Sequence, residues 1–125
     1  MAFEAQNLEG KRILVVEDDY IQATSLAEAI QHRGGHVIGP VSDVATALEI
    51  IAKEGLPDVA VLDISLGDEA SFPVAARLRE HGVPMLFVTG YDDWFMPDDL
   101  DDIAVYQKPM DAENVVRLLL PLRRG

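Results

Sequence analysis

A chain of 125 residues with 49% hydrophobic side chains fits one domain and carries enough apolar surface for a core, which excludes wholesale disorder. Its 22 acidic against 10 basic residues give a formal charge of −12, so direct binding to nucleic acid is not expected, and most of the acid is read as solubilising surface. The lack of cysteine excludes disulfides, thiolate zinc sites and thiol catalysis, and no basic-then-apolar leader or membrane-length apolar run is present, so a soluble, unexported, cytoplasmic protein with no membrane contact is expected.

After a polar lead-in over residues 1–11, apolar runs and amphipathic stretches alternate five times, the pattern of a βα repeat and hence of an α/β fold with a parallel sheet. Residues 12–17 form a β-branched run suited to a strand buried on both faces, and Ile21, Leu26, Ala27 and Ile30 follow at helical spacing until Gly34-Gly35. Residues 37–41 make a weaker second strand, and Asp43 is placed to cap a helix carrying Val44, Ala47, Leu48 and Ile51. Residues 58–63 are the third strand, followed by a loop containing Gly67 and a helix from about Ser71 to Gly82; residues 83–88 are the fourth. Residues 92–102 hold six aspartates and a proline around Trp94, Phe95 and Met96 with little helical periodicity, so a short or mobile helix is expected. Residues 103–107 supply the fifth strand, and Asp111 caps a last helix through Val115, Val116, Leu118, Leu119 and Leu122.

In an open parallel α/β sheet, ligands bind beyond the carboxyl ends of the strands. Those ends are polar here after apolar runs: Glu17-Asp18-Asp19, Asp63, Thr89-Gly90 and Lys108-Pro109. Each residue alone has an ordinary structural use, as a helix cap, a turn former or a solvated charge. Together they place carboxylates on neighbouring strands about 4.8 Å apart. Like charges about 4 Å apart cost roughly 4 kcal/mol at an effective dielectric near 20, to be offset by a divalent cation or a raised pKa. An all-oxygen set without His or Cys points to Mg²⁺, and a lysine ammonium beside it would hold an anion.

The segments Ile13-Leu14-Val15-Val16-Glu17-Asp18-Asp19, Val61-Leu62-Asp63, Phe87-Val88-Thr89-Gly90 and Gln107-Lys108-Pro109 together resemble a response-regulator receiver domain (CheY-like) of two-component signalling, with the match spanning residues 12–122. The resemblance implies a flavodoxin-like, doubly wound five-stranded sheet of order 2-1-3-4-5 with helices on both faces, and one receiver domain over residues 1–125. It implies that Asp63 accepts a phosphoryl group from a histidine kinase or histidine phosphotransfer protein and that the domain also hydrolyses the acyl phosphate. Mg²⁺ would be held by Asp18, Asp63 and the main-chain carbonyl of Ser65, with Glu17 acting through water. Lys108 would pair with the phosphoryl group, the Thr89 hydroxyl would bond to it, and the bond before Pro109 is usually cis in this family. No metabolic enzyme is implied, only catalysis of the domain's own phosphorylation and dephosphorylation.

Departures from the family pattern bear on signal output. Val105 stands where an aromatic switch is usual, Tyr106 points to the opposite face of the strand, and Leu66-Gly67 stands where Met-Pro is frequent. The stretch Phe-Val-Thr-Gly-Tyr resembles stand-alone alphaproteobacterial receivers with a modified fourth helix. Output is therefore expected through contacts with a downstream protein, with residues 90–102 as the responsive segment and the chain a monomer or weak homodimer. The alternative is a pseudo-receiver that binds protein whatever its phosphorylation. A haloacid-dehalogenase-type hydrolase needs a second aspartate where Ser65 stands, and an FMN carrier would meet repulsion from Glu17-Asp18-Asp19. His32, His36 and His81 are read as surface residues.

Overall fold

The structure is a computed structural model that describes residues 7–90 and 96–123. The main sheet has strands β1 (Arg12–Val16), β2 (His36–Val41), β3 (Val59–Leu62), β4 (Met85–Thr89) and β5 (Val105–Gln107), and the helices are α1 (Tyr20–His32), α2 (Val44–Glu54), α3 (Phe72–Glu80) and α4 (Ala112–Leu119). The strands are all parallel in the order β2-β1-β3-β4-β5, the doubly wound flavodoxin-like arrangement.

Alternation along the strands builds the two sides of the core. Ile13, Val15, Val59, Val61, Leu86 and Val88 face α1 and α4, where they meet Leu26, Ile30, Val115, Val116 and Leu119. Leu14, Val16, Ala60, Leu62, Met85 and Phe87 face α2 and α3, where they meet Ala47, Ile51, Val74 and Leu78. The edge strand keeps the rule: Val105 packs on the α2/α3 side and Tyr106 on the α1/α4 side. The anticipated caps form at Asp43 and Asp111, which accept from the amides of Thr46 and Asn114, and Asp19 caps α1 by accepting from the amide of Gln22. At the opposite end of the sheet, Arg12 donates to the carbonyls of Leu56 and Glu54 at the end of α2, and Lys11 donates to those of Leu120 and Leu122 just beyond α4.

Several element boundaries differ from the sequence reading. The fourth strand starts at Met85 because the Val83 amide closes the end of α3 on the Leu78 carbonyl and Pro84 has no amide to give. The fifth starts at Val105 because the Ile103 amide turns back to Leu100. The last helix ends at Leu119, two residues before Pro121. A two-stranded antiparallel ribbon, Ser65–Leu66 against Glu69–Ala70, occupies what the sequence presented as loop. In the aspartate-rich stretch a 3-10 turn covers Asp98–Leu100 and buries Leu100, and Asp102 is paired with Arg79 at 2.8 Å. Of the segment 90–102 expected to be responsive, residues 91–95, with Tyr91, Trp94 and Phe95, lie outside the described residues. His32, His36 and His81 are exposed. No helix among the described residues is long and apolar enough to cross a membrane.

Phe87 is fully buried and meets Phe72 edge to face at 6.1 Å. Phe87→Ala is expected to lower unfolding stability by about 3–5 kcal/mol, read as a lower urea midpoint with an unchanged slope.

Candidate functional site

The carboxyl ends of β1, β3 and β5 converge on a recess of about 470 Å³ lined by Glu17, Asp18, Asp19, Gln22, Asp63, Ser65, Gly67, Gly90 and Lys108. Sheet register brings the acids together. The Glu17 amide bonds to Val41 and the Asp63 amide to Val16, which ties the residue after each strand to its neighbour. Lys108 is fixed at the far edge, its amide bonded to the Thr89 carbonyl at 2.7 Å and its bond to Pro109 cis, as the resemblance implied; Gly39–Pro40 is also cis.

Lys108 Nζ lies 2.7 Å from Glu17 Oε1 and 2.8 Å from Asp63 Oδ2, so one ammonium bridges two carboxylates. This is a third way of relieving the repulsion foreseen between the strand ends, besides a cation and a raised pKa. The raised pKa is present as well. Burial pushes Glu17 up to about 7 against the opposing pull of Lys108 and the Asp19 amide, and Asp63 adds to the rise. Burial disfavours the charge on Lys108, but its bonds to Asp63 and Glu17 outweigh that and hold its pKa above the usual lysine value.

Oxygens of Glu17, Asp18 and Asp63 lie within 4.8 Å of one another. Such a set, all carboxylate and partly open to solvent, fits a hard divalent cation of the Mg²⁺ type. Backbone amides already point at it: Ser65 N–H donates to Asp63 Oδ1 at 3.1 Å, and Gly67 N–H donates to Asp18 Oδ2 at 2.9 Å. Gly67 turns the ribbon tip with φ of +68°, a left-handed conformation that suits glycine.

Of the residues anticipated from sequence, Glu17, Asp18, Asp63, Ser65 and Lys108 line the one recess. Thr89, the last residue of β4, is 1% exposed, and Gly90 forms the lining on its side. Sequence reasoning missed the Gly67 amide and Gln22; a backbone donor leaves no signature in side-chain type. Beside the recess, a second cleft of about 260 Å³ opens between α1 and α4 over Val15, Val61 and Val88.

The sequence matches the response regulator receiver domain family over residues 13–119. It is 30% identical over 112 residues to the sensory transduction protein LytT of Bacillus anthracis, covering 86% of this chain and 45% of that protein. It is 31% identical over 120 residues to the transcriptional regulatory protein PhoP of Escherichia coli O157:H7, covering 90% of this chain and 52% of that protein. The chain thus spans about half the length of these relatives. Among solved structures, SdrG of Sphingomonas melonis Fr1 is similar with a TM-score of 0.72 and 34% identity, covering 94% of this chain and 97% of that one. With the family match taking in all five strands and the acidic recess at their ends, the chain belongs to the response regulator receiver domain family, a signalling module of two-component systems.

Proposed function

We propose that the chain is a phosphoacceptor receiver in which Asp63 takes a phosphoryl group from a histidine kinase or histidine phosphotransfer protein, in the cytoplasm, and signals through contacts with a downstream protein. The observation that carries this reading is the Lys108 ammonium 2.8 Å from Asp63 at the carboxyl ends of the strands, with the oxygens of Glu17 and Asp18 close by. Asp63 attacks the phosphorus of a phosphohistidine, the phosphorus–nitrogen bond breaks, and its electron pair remains on the imidazole. Such transfer depends on positioning and on charge placed around the moving phosphoryl oxygens. Lys108 supplies positive charge within reach of the nucleophile, and Ser65 N–H fixes the other Asp63 oxygen at 3.1 Å. Thr89 gives a hydroxyl to the transferred group. Glu17, Asp18, Asp63 and the Ser65 carbonyl would hold Mg²⁺, which supplies charge neutralisation between the carboxylates and the phosphoryl oxygens. The same groups admit water for hydrolysis of the acyl phosphate, so the domain limits its own signal.

A second reading, a pseudo-receiver that binds partners whatever its phosphorylation, is favoured by Val105, a β-branched residue packed against the α2/α3 side of the core where a switching ring is usual. The two readings separate on labelling. With acetyl phosphate and Mg²⁺, intact-mass spectrometry is expected to show one added phosphoryl group on the wild type and none on Asp63→Asn. A labelled Asp63→Asn protein would overturn the site assignment, and an unlabelled wild type would favour the pseudo-receiver.

The recess is lined by four carboxylates against one lysine, and this imbalance sets its response to metal and to pH. Millimolar Mg²⁺ is expected to raise the melting temperature of the wild type, and Asp18→Asn, which removes one of the crowded charges, is expected to be more stable than wild type in chelator and to lose the Mg²⁺ response.

Glu17 has a folded pKa of about 7, above the ordinary glutamate value. Its contribution to stability is therefore full below about pH 4.5 and is lost as pH rises through 7. In metal-free protein, Glu17→Gln is expected to gain on wild type by about 2 kcal/mol between pH 5 and pH 8, measured by urea unfolding at each pH. A difference that stays flat or reverses across that window would count against the assignment.

A further inference from the structure

We propose that Glu69 is a positioning residue for the cation site: from outside the recess it holds the ribbon tip over the acids by accepting the amide of Val44 at the start of α2. This rests on the reading of the recess as a Mg²⁺ site. Glu69 Oε2 lies 3.1 Å from Val44 N, two elements away from the carboxylates it would serve.

The ribbon contributes backbone to the recess through Ser65 and Gly67, yet each of its strands is only two residues long. A ribbon that short does not hold its own shape. Its base is secured, since Ile64 and Leu66 are buried in the α2/α3 side of the core and the Ser71 amide closes on the Ile64 carbonyl at 2.9 Å. Its tip, Gly67, Asp68 and Glu69, is exposed. Two hydrogen bonds tie that tip to the elements around it: Gly67 N–H donates to Asp18, and Val44 N–H donates to Glu69. The first ends on a carboxylate whose oxygens a bound cation would draw upon. The second is independent of the cation and so keeps the tip in place in either state.

The chemistry of that second tether is favourable. Val44 is the first residue of α2, where the amide has no acceptor within the helix. Asp43 caps the same helix but spends its side chain on Thr46 N, leaving Val44 N to Glu69. A carboxylate at a helix N-terminus also meets the positive end of the helix dipole. Glu69 thus joins the loop after β3 to α2, and through it sets where Ser65 and Gly67 stand relative to Asp63 and Asp18.

Calorimetric titration of the whole chain with MgCl₂ tests this. Glu69→Ala is expected to weaken Mg²⁺ binding about two- to fivefold. Glu69→Gln, which keeps the acceptor oxygen, is expected to recover most of the loss. Val44→Pro removes the donor at a helix position that proline suits, and the preceding Asp43, with φ of −147° and ψ of 164°, is already in the extended conformation a following proline requires. It should weaken binding by the same factor, and the double variant should be no weaker than either single one, with circular dichroism confirming the fold of each. Wild-type affinity in both Glu69→Ala and Val44→Pro overturns the proposal, as do losses that multiply in the double variant. So does Glu69→Gln as weak as Glu69→Ala beside an unaffected Val44→Pro, which would mark a bulk charge effect. A wild type that binds no Mg²⁺ overturns the cation reading and this proposal together, a result distinct from all of these.

Discussion

The contact on which the recess depends is the single ammonium of Lys108 shared between Glu17 and Asp63. It spans the sheet: Lys108 follows β5, and its side chain must cross the end of β4 to reach acids that follow β3 and β1. With strands about 4.8 Å apart, that is a distance only a long, flexible side chain covers. The bridge therefore exists only when the middle strands are in register and β5 is docked at the edge. Both its acids are at most 10% exposed, so a partner lost from this group leaves charge in a poorly solvated place. The ammonium already has two acceptors, and an incoming anion joins them as a competitor for its hydrogen bonds.

Much of this arrangement was legible in the sequence because it is periodic or terminal. Apolar runs that stop at Glu17, Asp63, Thr89 and Lys108 mark strand ends, and parallel strands put their ends on one edge. The same logic placed Val105 and Tyr106 on opposite faces, where they lie. Asp43 and Asp111 were readable as caps because each stands just before an amphipathic stretch. What was not legible lacks such signals. Strands of two residues show no alternation, so the ribbon was hidden in a loop. The hold of Gly67 on Asp18 is made by a backbone amide, which every non-proline residue possesses. Glu69 looked like any other acid in a chain with 22 of them. Lys108 was read as the partner of an anion, and its use as a bridge between carboxylates follows from burial, which composition does not report.

The two flanks of the recess are built differently. On the β5 flank, Val105, Ile103 and Leu100 fill the α2/α3 side with aliphatic carbon, and there is no ring at Val105 to swing between inside and outside. On the β3 flank, the ribbon is polar at its tip and hydrogen-bonded outward to α2. An event at Asp63 is thus coupled through main-chain bonds to the loop after β3 more directly than through side-chain rotation at the edge strand.

The pairing of α1 with α4 over one face of the sheet has a consequence for how the chain matures. Leu26 and Ile30 of α1 are made within the first quarter of the sequence, but Val115, Val116 and Leu119, which cover them, come near its end. Arg33 is likewise held by Glu113, 80 residues later, and Lys11 waits for carbonyls more than 100 residues away. At ordinary rates of synthesis, on the order of 5–20 residues per second, α1 therefore leaves the ribosome several seconds before its cover is available. During that interval the apolar face of α1 has only the strands made so far to pack on, and its cover by α4 is the last part of this side of the core to close.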